Sequence, residues 1–235
     1  MRCLFISDSH YPKNDAVIDF LLKQYDEFDS IFILGDLFEF YYGYRGFFYS
    51  HHLKLINLLN IVSNKKRVFI FEGNHEYNLE AIKEFINVEV IKKELVIKLD
   101  DFLVHLEHGD TIDKNDVGYR MFRAALKNRL TLNLIDKISP RFLYFLSQKA
   151  SQFSKKRLHS KKYRGTDKAL EVFAEDRLKN GIDVVILAHT HNPTIKKIGS
   201  GLYINSGDFF KHLSYVVYDS KSGFSLEFFR RADDG

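Results

Sequence analysis

The chain has 235 residues, of which 45% are hydrophobic and 28% charged, a balance typical of one globular domain with a sizeable core. Its apolar runs are far shorter than the roughly 20 residues that a bilayer-spanning helix requires. The segment before Asp8 is too short for the apolar core of a signal peptide, so we expect a cytoplasmic protein. The single cysteine, Cys3, excludes an intrachain disulfide and a thiolate metal cluster, and we expect it in the core.

The net charge of +4 is distributed unevenly along the chain. Residues 114 to 168 contain fifteen Lys or Arg and three Asp or Glu, a net +12, so the remainder carries −8. A segment this basic predicts an anionic partner, such as a phosphate ligand, a membrane surface or a nucleic acid.

Strands and helices alternate along much of the chain. Short apolar runs rich in β-branched and aromatic residues predict buried strands at 2 to 7, 31 to 34, 68 to 72 and 184 to 188. Stretches with helical spacing lie between them, and this alternation predicts an α/β sheet. Strand-like segments without intervening helices predict a second, partly antiparallel sheet, and they lie at 94 to 99, 102 to 106, 194 to 198, 201 to 205, 214 to 218 and 224 to 229.

The basic segment has a different pattern. Residues 116 to 157 carry apolar side chains at helical spacing among many Lys and Arg, which predicts a helical insertion. Pro140 suits the first turn of a helix and divides this insertion into at least two helices. We therefore expect a single domain over residues 1 to 235 that contains an inserted helical segment at 114 to 168.

Polar residues follow the ends of five predicted strands, at the edge where open α/β sheets bind ligands. In chain order they are Asp8 with His10, Asp36, Asn74 with His75, His108, and His189 with His191. One such residue alone is more often a turn residue or a helix cap. Five strand ends together favour a common site, and carboxylate and imidazole groups are ligands for Mg, Mn, Fe or Zn. The pattern therefore predicts a site for divalent metal.

The motifs that carry these residues resemble, in the same order, those of the calcineurin-like metallophosphoesterases. They are D-S-H (8 to 10), G-D-L-F-E (35 to 39), G-N-H-E (73 to 76), H-G-D (108 to 110) and A-H-T-H (188 to 191). The resemblance implies a four-layer αββα sandwich that binds two divalent ions. Mn²⁺ is the expected metal, and Mg²⁺, Fe²⁺ and Zn²⁺ are alternatives.

The resemblance also implies a role for each side chain. Asp8, His10 and His191 would bind the first metal, Asn74, His108 and His189 the second, and Asp36 would bridge both. Two such ions activate a water and stabilise charge on phosphorus during in-line attack. His75 could donate a hydrogen bond or a proton to the leaving group. Asn74 and His75 are thus the predicted catalytic residues, and with His189 they are predicted to contact substrate.

Residues 108 to 123 (HGDTIDKNDVGYRMFR), followed by the basic insertion, resemble a narrower group, the UDP-2,3-diacylglucosamine pyrophosphatases of lipid A biosynthesis. Residues 35 to 44 fit the same group. The resemblance implies release of UMP and 2,3-diacylglucosamine 1-phosphate from an anionic nucleotide-sugar lipid. It also implies peripheral association with the cytoplasmic face of the inner membrane, with residues 114 to 168 as a lid over the acyl chains. Further predicted substrate contacts are Asp116, Tyr119, Arg120, Phe122, Lys161, Lys162 and Lys168.

Three alternatives stay open at this point. The same metal ligands would serve a phosphoesterase for a soluble phosphodiester, nucleotide or phosphoprotein, which would differ only in its lid. The basic insertion would also suit a nucleic-acid-binding protein or nuclease. We do not expect a nucleic-acid partner, because the insertion is rich in helically spaced apolar residues and shows no recognised nucleic-acid-binding motif. A metal-binding scaffold without turnover is the third alternative, and the full set of predicted ligands disfavours it.

Overall fold

The structure is a computed structural model that describes residues 1–115, 117–157 and 162–231. Its strands are β1 (Arg2–Ile6), β2 (Ser30–Ile33), β3 (Tyr41–Tyr42), β4 (Arg67–Phe71), β5 (Glu76–Tyr77), β6 (Glu89–Ile91), β7 (Glu94–Leu99), β8 (Phe102–Glu107), β9 (Val184–Leu187), β10 (Thr194–Ile198), β11 (Gly201–Asn205), β12 (Ser214–Asp219) and β13 (Gly223–Phe228). Its α-helices are α1 (Ala16–Gln24), α2 (Leu53–Ser63), α3 (Val117–Leu126), α4 (Arg129–Ile135), α5 (Pro140–Arg157) and α6 (Lys162–Lys179).

Two mixed sheets form the centre of the molecule. The first has the strand order β13-β12-β1-β2-β4-β6, and the second has the order β10-β11-β9-β8-β7. Side chains alternate across each strand, so Leu4 and Ile6 of β1 pack with α1 and α2, whereas Cys3 and Phe5 face the second sheet. On the far side of the second sheet, α6 packs through Leu170. The layers are therefore helix, sheet, sheet and helix, which confirms the predicted αββα sandwich.

Strand membership of the two sheets differs from the expectation. β9 belongs to the second sheet, where it lies between β11 and β8 and runs parallel to both. β12 and β13 belong to the first sheet, where β12 pairs antiparallel with β1. The reason is that apolar periodicity shows that a strand is buried but carries no information about its long-range partner.

Three parallel strands of the first sheet position the polar loops. β1, β2 and β4 pair in parallel register, and a stacked row of Phe5, Phe32 and Phe69 crosses them with ring centroids 4.9 and 4.6 Å apart. The pairing continues beyond the strand ends, because the Asp8 amide donates to the Gly35 carbonyl at 3.0 Å. The loops after β1, β2 and β4 are therefore held together at one edge of the sheet.

The basic insertion is helical, as predicted. It contains α3, α4 and α5, and α5 begins at Pro140. The Asn128 side chain accepts a hydrogen bond of 2.8 Å from the Leu130 amide and caps α4. The next helix, α6, begins within the basic segment and returns the chain to the core through Leu170 and Ala174. Among the described residues, every helix is too short or too polar to cross a bilayer.

His52 is a buried imidazole in an aromatic cluster of the core. It is 0% exposed, and its ring lies 4.6 Å from Phe38 and 5.5 Å from Tyr49. Burial, helped by neighbouring His51, lowers the pKa of His52 from 6.5 to about 3. Because the folded pKa lies below the unfolded one, the stability that neutral His52 provides is complete above about pH 6.5 and is lost as the pH falls toward 3.

We expect His52→Phe to remove this acid sensitivity. Between pH 7 and pH 5 the wild-type chain should lose about 2 kcal/mol more free energy of unfolding than the variant, because each pH step below the unfolded pKa costs about 1.4 kcal/mol. Urea unfolding at the two pH values measures this difference. An identical pH dependence in the two proteins would show that His52 can be protonated without cost in the folded state.

Candidate metal centre

Five of the predicted metal ligands have a left-handed backbone. The φ angles are 51° at Asp8, 49° at His10, 51° at Asp36, 72° at His189 and 56° at His191. This conformation is uncommon for residues other than glycine and costs on the order of 1 to 3 kcal/mol at each position. Such strain persists only where the surrounding structure enforces it, and it concentrates at functional sites. These backbone angles therefore mark the strand ends as a site.

The first group of ligands joins the loops after β1 and β9. Potential ligand atoms of Asp8, His10 and His191 lie within 4.8 Å of one another. His191 Nε2 is 3.1 Å from Asp8 Oδ1 and 3.5 Å from His10 Nε2. Burial lowers the pKa of His10 to about 4, which keeps this imidazole neutral and able to coordinate a cation. One carboxylate and two imidazoles therefore converge on a space of the size that one metal ion requires.

The second group joins the loops after β2, β8 and β9. Potential ligand atoms of Asp36, His108 and His189 lie within 4.8 Å of one another. The Asn74 Oδ1 atom lies 3.2 Å from His108 Nε2, and Asp36 Oδ2 lies 3.7 Å from it. His108 Nδ1 is 2.7 Å from the Leu34 carbonyl, so it donates there and turns Nε2 toward the acceptor oxygens. Such a convergence of acceptors fits a cation.

Asp36 and Asp8 connect the two groups. Burial raises the pKa of Asp36, but His75, His108 and His10 together lower it below its ordinary value, so the carboxylate is ionised between both groups. The His189 amide also donates to Asp8 Oδ2 at 3.2 Å, which ties the second sheet to the first. The predicted metal ligands thus lie in two groups, each of which could hold a cation.

The family of this chain follows from its match to a family model. Residues 1–193 match the family model described as calcineurin-like phosphoesterase. The chain belongs to the calcineurin-like phosphoesterase family. It is therefore a metal-dependent phosphoesterase, and such enzymes use a dinuclear metal site, to which the two groups of His and Asp correspond.

Two relatives indicate a narrower similarity. A protein of Shewanella baltica (strain OS195) is 28% identical over 236 residues that cover 97% of each chain. One from Blochmanniella pennsylvanica (strain BPEN) is 29% identical over 213 residues, 84% of this chain and 82% of that protein. Both relatives bear the name UDP-2,3-diacylglucosamine hydrolase. An archaeal phosphodiesterase structure covers 97% of this chain and 99% of its own at a TM-score of 0.50 and 15% identity, which shows a shared fold.

Two buried glutamates of this phosphoesterase support the ligand loops. The only sequence signal for their role is their place at the ends of G-D-L-F-E and G-N-H-E. Glu76 accepts hydrogen bonds from the amides of Asp36 at 3.0 Å, Phe38 at 3.0 Å and Gly73 at 2.9 Å, so it clamps two ligand loops together. The Glu39 carboxylate lies 3.6 Å from His10 Nδ1 and is positioned to orient that ring.

His75 lies at the mouth of the site. Its amide donates to Asp36 Oδ1 at 2.9 Å, and its Nδ1 lies 2.6 Å from the Glu39 carbonyl. Nε2 is 3.8 Å from Asp36 Oδ2, and the side chain is 31% exposed. Burial lowers the pKa of His75, but the Asp36 charge and the Glu39 carbonyl outweigh it and raise this pKa above its ordinary value. Its raised pKa and partial exposure are consistent with the predicted role of His75 as a proton donor.

The other predicted substrate contacts belong to the insertion. Those within helices are Tyr119, Arg120 and Phe122 on α3, and Lys162 and Lys168 on α6. Arg120 and Lys168 are exposed, so their charges face solvent and are accessible to an anionic ligand. Asp116 and Lys161 lie outside the described residues. Contact between these seven residues and a substrate stays a prediction.

Proposed function

We propose that this phosphoesterase hydrolyses the pyrophosphate of UDP-2,3-diacylglucosamine, releasing UMP and 2,3-diacylglucosamine 1-phosphate. The observation that carries the proposal is the composition of the insertion, which is strongly basic and also displays large apolar side chains beside a two-metal phosphoesterase site. This combination suits a substrate with an anionic pyrophosphate and two acyl chains. The names of relatives that align with nearly the whole chain support the same substrate.

Seven side chains would hold two divalent ions, with Mn²⁺ as the expected metal. Asp8, His10 and His191 would hold the first, Asn74, His108 and His189 would hold the second, and Asp36 would contribute to both. When bound, such ions supply Lewis-acid catalysis to the phosphate. The protein holds these ligands in their strained backbone conformations through contacts such as the His108 contact with the Leu34 carbonyl and the Glu76 clamp.

His75 would serve as the general acid in this reaction. The Glu39 carbonyl fixes its Nδ1 proton, which leaves Nε2 facing Asp36 and the mouth of the site. The Asp36 charge outweighs burial and raises the pKa of His75, which favours the protonated imidazole that would transfer its proton to the leaving-group oxygen. Asn74 and His189 would in addition contact the phosphate.

The insertion at 114 to 168 would act as a lid within the single domain of residues 1 to 235 and would dock at the cytoplasmic face of the inner membrane. Large apolar side chains are exposed on three of its helices: Val117, Met121, Leu130, Leu134, Phe142, Phe145 and Leu146. Apolar side chains among basic ones bind anionic lipid surfaces peripherally. The proposed lid would therefore contact the membrane surface as well as the acyl chains of the substrate.

A comparison of two substrates tests the proposal. We expect kcat/KM for UDP-2,3-diacylglucosamine to exceed that for UDP-N-acetylglucosamine, which lacks the two long acyl chains, by about a hundredfold or more, since each buried methylene contributes about 0.8 kcal/mol. Equal values, or faster hydrolysis of a soluble phosphodiester, would favour the soluble-substrate alternative instead.

Membrane docking gives a separate prediction. The paired substitution Phe142→Ser and Phe145→Ser should weaken binding to vesicles of phosphatidylethanolamine and phosphatidylglycerol by about tenfold, since each ring removes apolar area from the docking surface. Co-sedimentation measures this binding. Ile61→Ser is the matched control, because Ile61 is 52% exposed but lies on α2, outside the insertion. If the control weakens binding as much as the pair, the insertion is not the docking surface.

A further inference from the structure

Lys127, directly after α3, is a partly buried cation that contacts the loop of a predicted metal ligand. Its Nζ donates to the Gly73 carbonyl at 2.8 Å and lies 3.0 Å from Glu72 Oε1. The ring centroid of Tyr77 is 5.5 Å away, and the Lys127 side chain is only 16% exposed. A lysine of the solvated surface would keep its ammonium in water. Lys127 instead attaches the insertion to the loop that follows β4.

Arg123 makes a second attachment one helical turn earlier. Its Nε lies 2.6 Å from Asp110 Oδ2, with 20% of the arginine and 4% of the aspartate side chain exposed. The Lys127 amide donates to the Arg123 carbonyl at 2.9 Å, so the two residues are one turn apart on the same helical face. This face of α3 therefore contacts two loops of the core at once.

Both of these loops carry ligands of the second metal group. Gly73 directly precedes Asn74, and Asp110 lies two residues after His108. Asn74 and His108 are the pair whose Oδ1 and Nε2 atoms are 3.2 Å apart. The first group, in contrast, takes its ligands from the loops after β1 and β9. Arg123 and Lys127 thus contact the loops that carry ligands of the second metal group.

We propose that Arg123 and Lys127 are positioning residues, and that docking of the insertion through them sets the affinity of the second metal while the first metal binds independently of it. The proposal rests on the metal-ligand assignment given under the proposed function. A charged partner that holds a ligand loop typically accounts for about 10- to 100-fold in metal affinity.

The test is a titration of the metal-free full-length protein with Mn²⁺ alone, followed by calorimetry and by electron paramagnetic resonance. Spin-coupled Mn²⁺ pairs and isolated Mn²⁺ ions give different spectra, so occupancy of the two sites is read separately. We expect Lys127→Met to raise the dissociation constant of the second ion about tenfold or more, with the first unchanged. Lys127→Arg keeps a cation at this position and should recover part of the loss.

Lys137→Met is the matched control, because Lys137 is an exposed lysine of the same insertion and its loss removes the same charge. It should leave both affinities unchanged. Glu72→Gln breaks the ion pair from the side of the core, keeps the size of the side chain and should show the same selective loss. Equal weakening of both ions, or no weakening in Lys127→Met and Glu72→Gln, would overturn the proposal. Because no lipid is used, the outcome is independent of the proposed substrate.

Discussion

Asp36→Asn is expected to lower kcat by about a thousandfold or more, the largest effect of any single substitution in the site. Asp36 is 1% exposed, and its Oδ2 lies 3.7 Å from His108 Nε2 and 3.8 Å from His75 Nε2. Asparagine keeps the shape and the acceptor for the His75 amide but removes the charge that would bridge two ions. A loss of about 4 kcal/mol of transition-state stabilisation corresponds to this factor.

Steady-state kinetics with saturating Mn²⁺ measure this effect, and circular dichroism verifies the fold. Asp101→Asn is the control, because Asp101 is an exposed residue of the turn between β7 and β8, at the opposite end of β8 from His108. It should retain wild-type kcat. If Asp36→Asn retained more than about a tenth of wild-type kcat, the bridging role assigned to Asp36 would be wrong.

Gly73→Ala is expected to be nearly as damaging, although it removes no polar group. A Cβ atom at Gly73 would lie 2.2 Å from Asp36 Oδ1 and 2.6 Å from the Asp36 backbone nitrogen. Because one of these atoms belongs to the backbone and the other to a side chain already held by the His75 amide, the loop has to move. Overpacking of this kind costs about 1 to 3 kcal/mol, and a displacement of about 1 Å at the centre lowers kcat about a hundredfold.

Gly118→Ala separates this clash from a general effect of replacing glycine. Gly118 lies in α3, and a Cβ there meets nothing within 4 Å. The control should be active and should gain up to about 1 kcal/mol of unfolding free energy, since alanine favours a helix. A Gly73→Ala protein with wild-type kcat and Mn²⁺ affinity would show that the loop relaxes without moving Asp36.

The strands, and the gathering of polar residues at their ends, were predictable from local patterns. Buried strands show as short apolar runs, and β7, β10 and β11 have the bounds that the sequence predicts. Polar residues at the ends of the buried strands indicated a site, because parallel strands bring their carboxyl ends to one edge of the sheet. Asp8, Asp36 and His108 lie where that reasoning places them.

The supporting contacts were not predictable, because each joins residues distant in sequence. Glu76 accepts a hydrogen bond from the amide of Asp36, which is 40 residues away in sequence. Lys127 donates one to the carbonyl of Gly73, which is 54 residues away. A carboxylate or a lysine in the sequence resembles many others on a solvated surface. Only the tertiary structure shows which of them is buried and which loop it holds.

The end of the insertion was also hidden from the sequence. The basic segment stops at 168, but α6 (Lys162–Lys179) runs through that point without a break. Its later turns pack Leu170 and Ala174 against the second sheet. The basic composition ends in the middle of this helix, but the helix itself continues. The change in composition at residue 168 therefore does not coincide with the end of a structural element.

One measurement tests the central claim most directly. The purified protein is treated with chelator, supplied with Mn²⁺ and incubated with UDP-2,3-diacylglucosamine, and the products are identified by mass spectrometry. We expect UMP and 2,3-diacylglucosamine 1-phosphate in equal amounts, formed only when the metal is restored and not by Asp36→Asn. Intact lipid nucleotide, under conditions in which the same preparation hydrolyses a simple aryl phosphate, would contradict the proposed substrate.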